Sequence, residues 1–413
     1  MTIDLRTLTD DPGEHEAWWA VIRAAFGTTF DPESHALWAA RMEPGRSIVA
    51  YDGDEVCGTT GSFSFRMTVP GGAVVPTAGV TMVTVKPTHR RRGVLTSMMR
   101  RQLEEVRERR EPLAVLRASE PLIYGRFGYG AASDELGARV DTARTRLALP
   151  AGADALRLRL VDPCDPEVLA ACEELYARRV PLRPGMLERR PGWERAVVHD
   201  PEDKRDGATP MQCVLAERDG ELRGYARYAV RPHYDAADNP DGEVLLRDME
   251  ALDPAAHGAL VRYLFDLDLT STLCVEGRPV DDPWLHLVTD PRRCGISRRD
   301  ALYLRVIDVA AALEARTYAA GVDVVLELED AFCPWNAGRW RLSGGPKGAT
   351  CTRTGDPADL ALSVPELGAA YLGGVPLAAL ADAGRVRELR EGALAEAATA
   401  FHSAVAPWNP HGF

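Results

Sequence analysis

The chain has 413 residues, 46% of them hydrophobic and 27% charged, with a formal net charge of −12. This length predicts two or three globular domains. The negative balance argues against nucleic acid or an anionic membrane as a partner and suits a cationic substrate. No stretch approaches the roughly 18–20 uncharged apolar residues of a spanning helix. Residues 1–11 carry acids and lack the apolar segment of a secretion signal. The eight cysteines are scattered without a C-x-x-C pair, so reduced thiols, no metal site and a cytoplasmic location are expected.

In the first part, residues 1–150, the apolar periodicity of 14–26 and 32–42 predicts two helices. Asp52-Gly53-Asp54 between apolar runs predicts a hairpin, because Asp-Gly accepts the positive φ of a tight turn. A Val- and Thr-rich strand over 79–87, a helix over 93–109 and a strand over 112–119 follow, then a short helical turn over 120–130. Strand, helix and strand in that order imply a mixed α/β sheet.

The second part, residues 151–291, repeats the first. Ala216-Glu217-Arg218-Asp219-Gly220 parallels Ala50-Tyr51-Asp52-Gly53-Asp54, and a strand over 244–252 reaches Asp253-Pro254 and a helix over 255–267. Gly53 and Gly220, like Pro87 and Pro254, are 167 residues apart. The shared offset predicts an internal duplication whose second copy, lacking an Arg-Arg-x-Gly turn, holds no cofactor. The remainder, 292–413, combines strands over 323–328 and 339–342 with helices over 364–372, 377–383 and 387–401. It reads as an α+β module for assembly or ligand shape.

Chemistry concentrates in residues 82–95, MVTVKPTHRRRGVL. A strand stops at Pro87 and passes through a basic turn and Gly93 into an amphipathic helix. The first N–H groups of that helix have no intrahelical acceptor, and with the helix dipole they form an anion site. Gly93 lets a phosphate approach the backbone, and Arg90 and Arg91 supply charge-assisted bonds. A pyrophosphate fits this arrangement. The plainer alternative is a solvated basic helix start. No G-x-x-x-x-G-K or G-x-G-x-x-G is present here.

The run V-x-V-x-P-x-x-R-R-R-G-V-L resembles the acetyl-CoA motif of the GNAT acetyltransferase superfamily, R/Q-x-x-G-x-G/A, with Leu95 in place of the last small residue. Downstream, IYGRFGYG at 123–130 is similar to the L-Y-x-x-x-G-F signature of that superfamily. Ala118-Ser119-Glu120 leading into it, FCPWNAGRWRL at 332–342, and Asp359-Leu360-Ala361-Leu362 followed by Tyr371-Leu372-Gly373-Gly374 narrow the resemblance to the Eis-type aminoglycoside N-acetyltransferases. It implies two tandem GNAT folds with mixed sheets, the second degenerate, plus a C-terminal sterol-carrier-like α+β domain. The expected bounds are 1–150, 151–291 and 292–413. A hexamer, a small-molecule amine substrate and acetyl-CoA as co-substrate are also implied; protein lysine or polyamine acetylation, or a lipid-binding protein with a vestigial site, are the competing readings.

For the site, the resemblance implies that the backbone of Val83 and Val85 holds the pantetheine, while Arg90, Arg91, Gly93, Val94 and Leu95 hold the pyrophosphate. Tyr124 is the implied general acid for the departing thiolate, and Tyr129 stays structural. Ser119 bonds the pantetheine or holds Tyr124, unless it only caps a helix. The chain ends in Phe413, as that family's chains end in phenylalanine with a carboxylate in the active site. An α-carboxylate with a pKa of about 3.5 is a weak base, so it orients the ammonium or relays its proton through water. Phe26, Phe30 and Trp38 are candidates for the acceptor pocket, against a plain reading as helix core. The acids expected after the first helix are absent from Gly27-Thr28-Thr29, and only Asp31 lies near.

Overall fold

The computed structural model describes residues 3–27, 29 and 31–413. Its first stretch runs β1 (Ile3–Thr7), α1 (Pro12–Phe26), α2 (Pro32–Arg41), β2 (Ile48–Asp52), β3 (Glu55–Thr68), β4 (Val74–Val85), α3 (Val94–Glu108), β5 (Leu113–Arg117) and β6 (Gly130–Ala131). The middle stretch is β7 (Asp134–Asp141), β8 (Arg157–Val161), α4 (Pro166–Arg179), β9 (Gln212–Arg218), β10 (Glu221–Arg231), β11 (Gly242–Ala251), α5 (Pro254–Phe265), β12 (Thr270–Pro279), β13 (Ser297–Asp300) and β14 (Leu302–Val306). The last is α6 (Val309–Ala315), β15 (Val322–Glu329), β16 (Gly338–Gly345), β17 (Gly348–Arg353), β18 (Leu360–Ser363), α7 (Val364–Tyr371), α8 (Leu377–Asp382), β19 (Val386–Glu388) and α9 (Ala393–Phe401).

One local rule starts four of these helices. Asp11-Pro12, Asp31-Pro32, Asp165-Pro166 and Asp253-Pro254 each place an Asp carboxylate on a first-turn N–H and a proline where no N–H is needed. Helix α3 breaks the rule. Its N-cap is Gly93, at φ 83°, and no side chain caps its N–H groups.

The chain forms two compact units: residues 1–133, 301–407 and 412–413, and residues 134–300 and 408–411. In the first unit one sheet has the order β1-β2-β3-β4-β5-β14-β6, and a second has the order β17-β16-β15-β18-β19. The α3 side of the first sheet buries Ala78, Val80, Met99, Leu103 and Leu116, and α1 covers the other face with Trp18, Trp19 and Ile22. Helix α7 lies against β14 and β6 so closely that a Cβ on Gly130 would strike the Pro365 carbonyl, and one on Gly368 the Leu304 carbonyl. Arg316 is buried between the C-termini of two helices, donating to the carbonyls of Tyr371 and Phe401. Those carbonyl ends carry the partial negative charge that a buried guanidinium lacking a carboxylate requires.

The second unit holds a sheet of order β13-β7-β12-β11-β10-β9-β8. Its β9-β10-β11-α5-β12 repeats the β2-β3-β4-α3-β5 series, and both copies end in a parallel strand pair, β11 with β12 and β4 with β5. Gly53 and Gly220, at φ 64° and 83°, turn the matching hairpins. The predicted duplication is therefore present in the fold.

Three expectations need correction. Strand β7 pairs with β12 in the second sheet, and β14 pairs with β5 in the first, so sheet membership does not follow the bounds at 150 and 291. The stretch 387–401 is not one helix: Val386 pairs with Leu362 in β19, and Gly392 at φ 85° begins α9 afresh. The fourth strand begins at Val74, earlier than position 79, because Gly71 and Gly72 at φ 99° and 84° turn the chain there. Among the described residues no helix is long and apolar enough to cross a membrane.

Candidate active site

Parallel pairing between β4 and β5 covers only Thr77–Gly79 with Leu113–Val115. Beyond Gly79, β4 carries a bulge opposite Thr59–Gly61, with Met82 at φ 53°. A bulge bends and twists its strand, so among the described residues Val80 to Val85 run on without a strand partner on the β5 side. Their backbone groups on that edge are thus available to a ligand.

This opening continues into a cavity of about 660 Å³, walled by Val83, Thr84 and Val85 on one side and by Arg90, Arg91 and Gly93 at the head of α3. Val94, Leu95, Ser119, Ile123 and Tyr124 complete its lining. Every cofactor position predicted from sequence lines this one cavity. Arg90, Arg91 and Gly93 are exposed, and a Cβ on Gly93 would meet no heavy atom within 4 Å. Uncapped N–H groups, two guanidinium groups and free space at Gly93 together make a cradle for a pyrophosphate.

Tyr124 follows the turn at Pro121–Ile123 and stacks edge-on to Tyr129, with ring centroids 5.8 Å apart. Burial, aided by Glu120, pushes the Tyr124 phenol up to about 12, so it stays protonated throughout the neutral range. Tyr129 is fully buried and burial drives its phenol far above the usual range, as suits a packing residue. Ser119 caps no helix, because the N-cap of the next turn is Glu120 and makes no side-chain bond.

The remaining candidates divide. Phe26, half exposed, lines the same cavity as Tyr124. Trp38 lies outside that lining and stacks on Phe63, centroids 6.4 Å apart. Phe63 leads to Phe65 and Phe65 to Phe413, with centroids 5.6 and 5.1 Å apart. The Phe413 ring also comes within 3.3 Å of where a Gly79 Cβ would be, so the chain end rests where β4 leaves β5. Phe30 lies outside the described residues. Sequence reasoning missed His89, which lines the cavity and reaches Asp52 with Nε2 at 3.3 Å. It sits between Thr88 and Arg90 with no spacing that sets it apart.

The second copy has the same opening but has filled it. Strands β11 and β12 pair as far as Leu246 and Val275. Past that point Arg278 Nη1 donates to the Met249 carbonyl at 2.7 Å, and Trp408 Nε1 to the Gly277 carbonyl at 2.7 Å. The head of α5 is taken by Asp253, which accepts from Ala256 N at 2.9 Å and from Arg223 at 2.9 Å. Only about 240 Å³ remains there, flanked by Glu250 and Asp282. A chain carboxylate stands where the first copy leaves room for an anion.

Comparison with known proteins agrees with this geometry. Models of the acetyltransferase (GNAT) domain match residues 4–132 and 185–306, and a sterol carrier protein domain matches 309–410. An uncharacterized N-acetyltransferase of Streptomyces avermitilis is 61% identical over 414 residues, covering 100% of both chains. The N-acetyltransferase Eis of Mycobacterium tuberculosis is 34% identical over 403 residues, 94% of each chain. The chain belongs to the Eis-type family of GNAT N-acetyltransferases. The crystal structure of Eis1 from Mycobacterium abscessus, 34% identical, superposes with a TM-score of 0.84 over 100% of both chains. This family member is thus an N-acetyltransferase built from two GNAT domains and a sterol carrier protein-like domain, and its second GNAT domain has closed the opening that the first keeps.

Proposed function

We propose that the enzyme moves acetyl from acetyl-CoA to amines of a polycationic small molecule, with aminoglycosides as the leading class, by direct attack in a ternary complex. The observation that carries this reading is the single cavity joining the open β4 edge, the Arg90–Gly93 turn and Tyr124. The backbone of Val83 and Val85 would hold the pantetheine, and the head of α3 the pyrophosphate. Bound acetyl-CoA supplies the acyl group as a thioester. The neutral acceptor nitrogen bonds the carbonyl carbon, the C–S bond breaks, and the Tyr124 O–H gives its proton to the sulfur. A well-placed acid of this kind contributes about 10²–10⁴-fold.

The terminal carboxylate of Phe413 would orient the acceptor ammonium, and the proton lost from nitrogen would leave through water. The net charge of −12 favours a cationic acceptor over an anionic one. Family resemblance extends the reading to a hexamer, for which light scattering is the check.

The decisive experiment measures thiol release from acetyl-CoA by untagged protein against aminoglycosides, polyamines and lysine peptides. Release confined to aminoglycosides supports the substrate class. Release with peptides or small amines alone keeps the acetyltransferase and discards that class. Failure to bind acetyl-CoA overturns the reading of the cavity.

A further inference from the structure

We propose that Phe332, in the sterol carrier protein-like domain, is a positioning residue for acetyl transfer, holding the turn that carries Tyr124. The inference rests on the reading of Tyr124 as the proton donor. All of its observations lie within the first compact unit.

The turn from Tyr124 to Tyr129 holds three backbone bonds of its own, from Phe127 N and Tyr129 N to the Tyr124 carbonyl at 3.0 and 3.3 Å and from Gly128 N to the Gly125 carbonyl at 3.0 Å. Beyond the core of β4, α3 and β5 on which Phe127 and Tyr129 pack, it is supported by residues more than 170 positions later in the chain. Phe127 meets the Phe332 ring edge-on, with centroids 5.0 Å apart. Gly128, at φ 89°, lies so close to Arg305 that a Cβ there would be 2.5 Å from Nε.

Arg305 is itself fixed. Its Nη2 donates to both Asp330 carboxylate oxygens, at 2.7 and 2.9 Å, with both groups almost fully buried, while Asn336 Nδ2 at 3.1 Å and Cys333 N at 2.9 Å donate to the same carboxylate. A buried ion pair whose carboxylate accepts from two further donors defines a geometry far better than it adds net stability. Phe332 is held from its other side as well. Arg100 of α3 donates to its carbonyl at 3.1 Å and lies 4.6 Å from its ring centroid. One loop of the third domain therefore braces both the cofactor helix and the acid-bearing turn. This gives the sequence 330–336 a task in the transferase reaction with no lipid ligand required.

The test is a double-mutant cycle of Phe332→Ala and Tyr124→Phe, using acetyl-CoA and the most active acceptor of the aminoglycoside, polyamine and peptide panel. Phe332 is half-buried, so its truncation is compatible with folding. In the wild-type background kcat should fall about tenfold or more, with the acetyl-CoA KM within about twofold, because small misplacements of a reacting group are costly. In the Tyr124→Phe background the same truncation should cost nothing further. Equal losses in the two backgrounds overturn the positioning role while leaving Tyr124 as the acid. An unaltered rate in Tyr124→Phe alone overturns the acid assignment, and the inference with it. A crystal structure of Phe332→Ala provides a check independent of turnover: a turn 124–128 that keeps its place overturns the proposal, and a displaced one supports it.

Discussion

The Phe413 ring stands edge-on against Phe65, centroids 5.1 Å apart, above the residue where β4 parts from β5. That residue is Gly79, where a Cβ would collide with Phe65 and press on Phe413. Gly79→Ala should therefore dislodge the chain end and cost about 1–3 kcal/mol through overpacking. Adding residues after Phe413 should impair turnover without that stability loss. Paired thermal melts and kinetics separate the two, and a fully active C-terminal extension would sink the role given to the terminal carboxylate.

Tyr124→Phe is expected to lower kcat by about 10²-fold or more while acetyl-CoA affinity holds. Burial raises the phenol to about 12, so its protonated form persists through alkaline pH and is lost only as pH climbs through that value. Activity of the wild type should accordingly rise with pH as the acceptor amine deprotonates, with no decline between pH 7 and 10 arising from Tyr124. A descending limb in that window that disappears in Tyr124→Phe would contradict the raised phenol while keeping Tyr124 as the acid.

Arg90→Ala and Arg91→Ala should each raise the KM for acetyl-CoA by about tenfold, the loss of one charge-assisted phosphate contact, with kcat little changed. The effect should shrink for an acetyl thioester lacking the nucleotide half. Gly93→Asp should be worse than either. It would bring a carboxylate to the head of α3, as Asp253 does in the second copy, besides straining φ 83°.

In the second unit, burial alone would raise the Asp282 carboxyl, but Arg278 and His257 outweigh it and hold it well below the ordinary carboxylate range. A depressed carboxylate contributes stability above its unfolded pKa of about 3.9 and loses it as pH falls toward the folded value. Asp282→Asn should destabilise the enzyme at pH 7 and less so at pH 3. Denaturant unfolding at the two pH values measures this, and an equal deficit at both would refute it.

Much of this was readable in the sequence where local chemistry governs. The Asp-Gly signals located hairpins and apolar periodicity the first two helices, and residues 82–95 with Tyr124 located the cavity, because contiguous residues build one wall of it. What escaped was set by contacts distant in the chain. Nothing near 302–306 announces a strand destined for the sheet of β5, since a buried apolar run reads alike in either sheet. The tie of Arg305 to Asp330, and the filling of the second opening by Arg278 and Trp408, depend on side chains whose partners no spacing rule connects.

The late arrival of β14 has a consequence for synthesis. The first sheet needs Leu302–Val306 to separate β5 from β6, so it stays incomplete until the ribosome has delivered the whole middle of the chain. Until then β5 presents an unsatisfied edge, a hazard for mispairing and aggregation. The first sheet can therefore be completed only after the main segment of the second unit has been made.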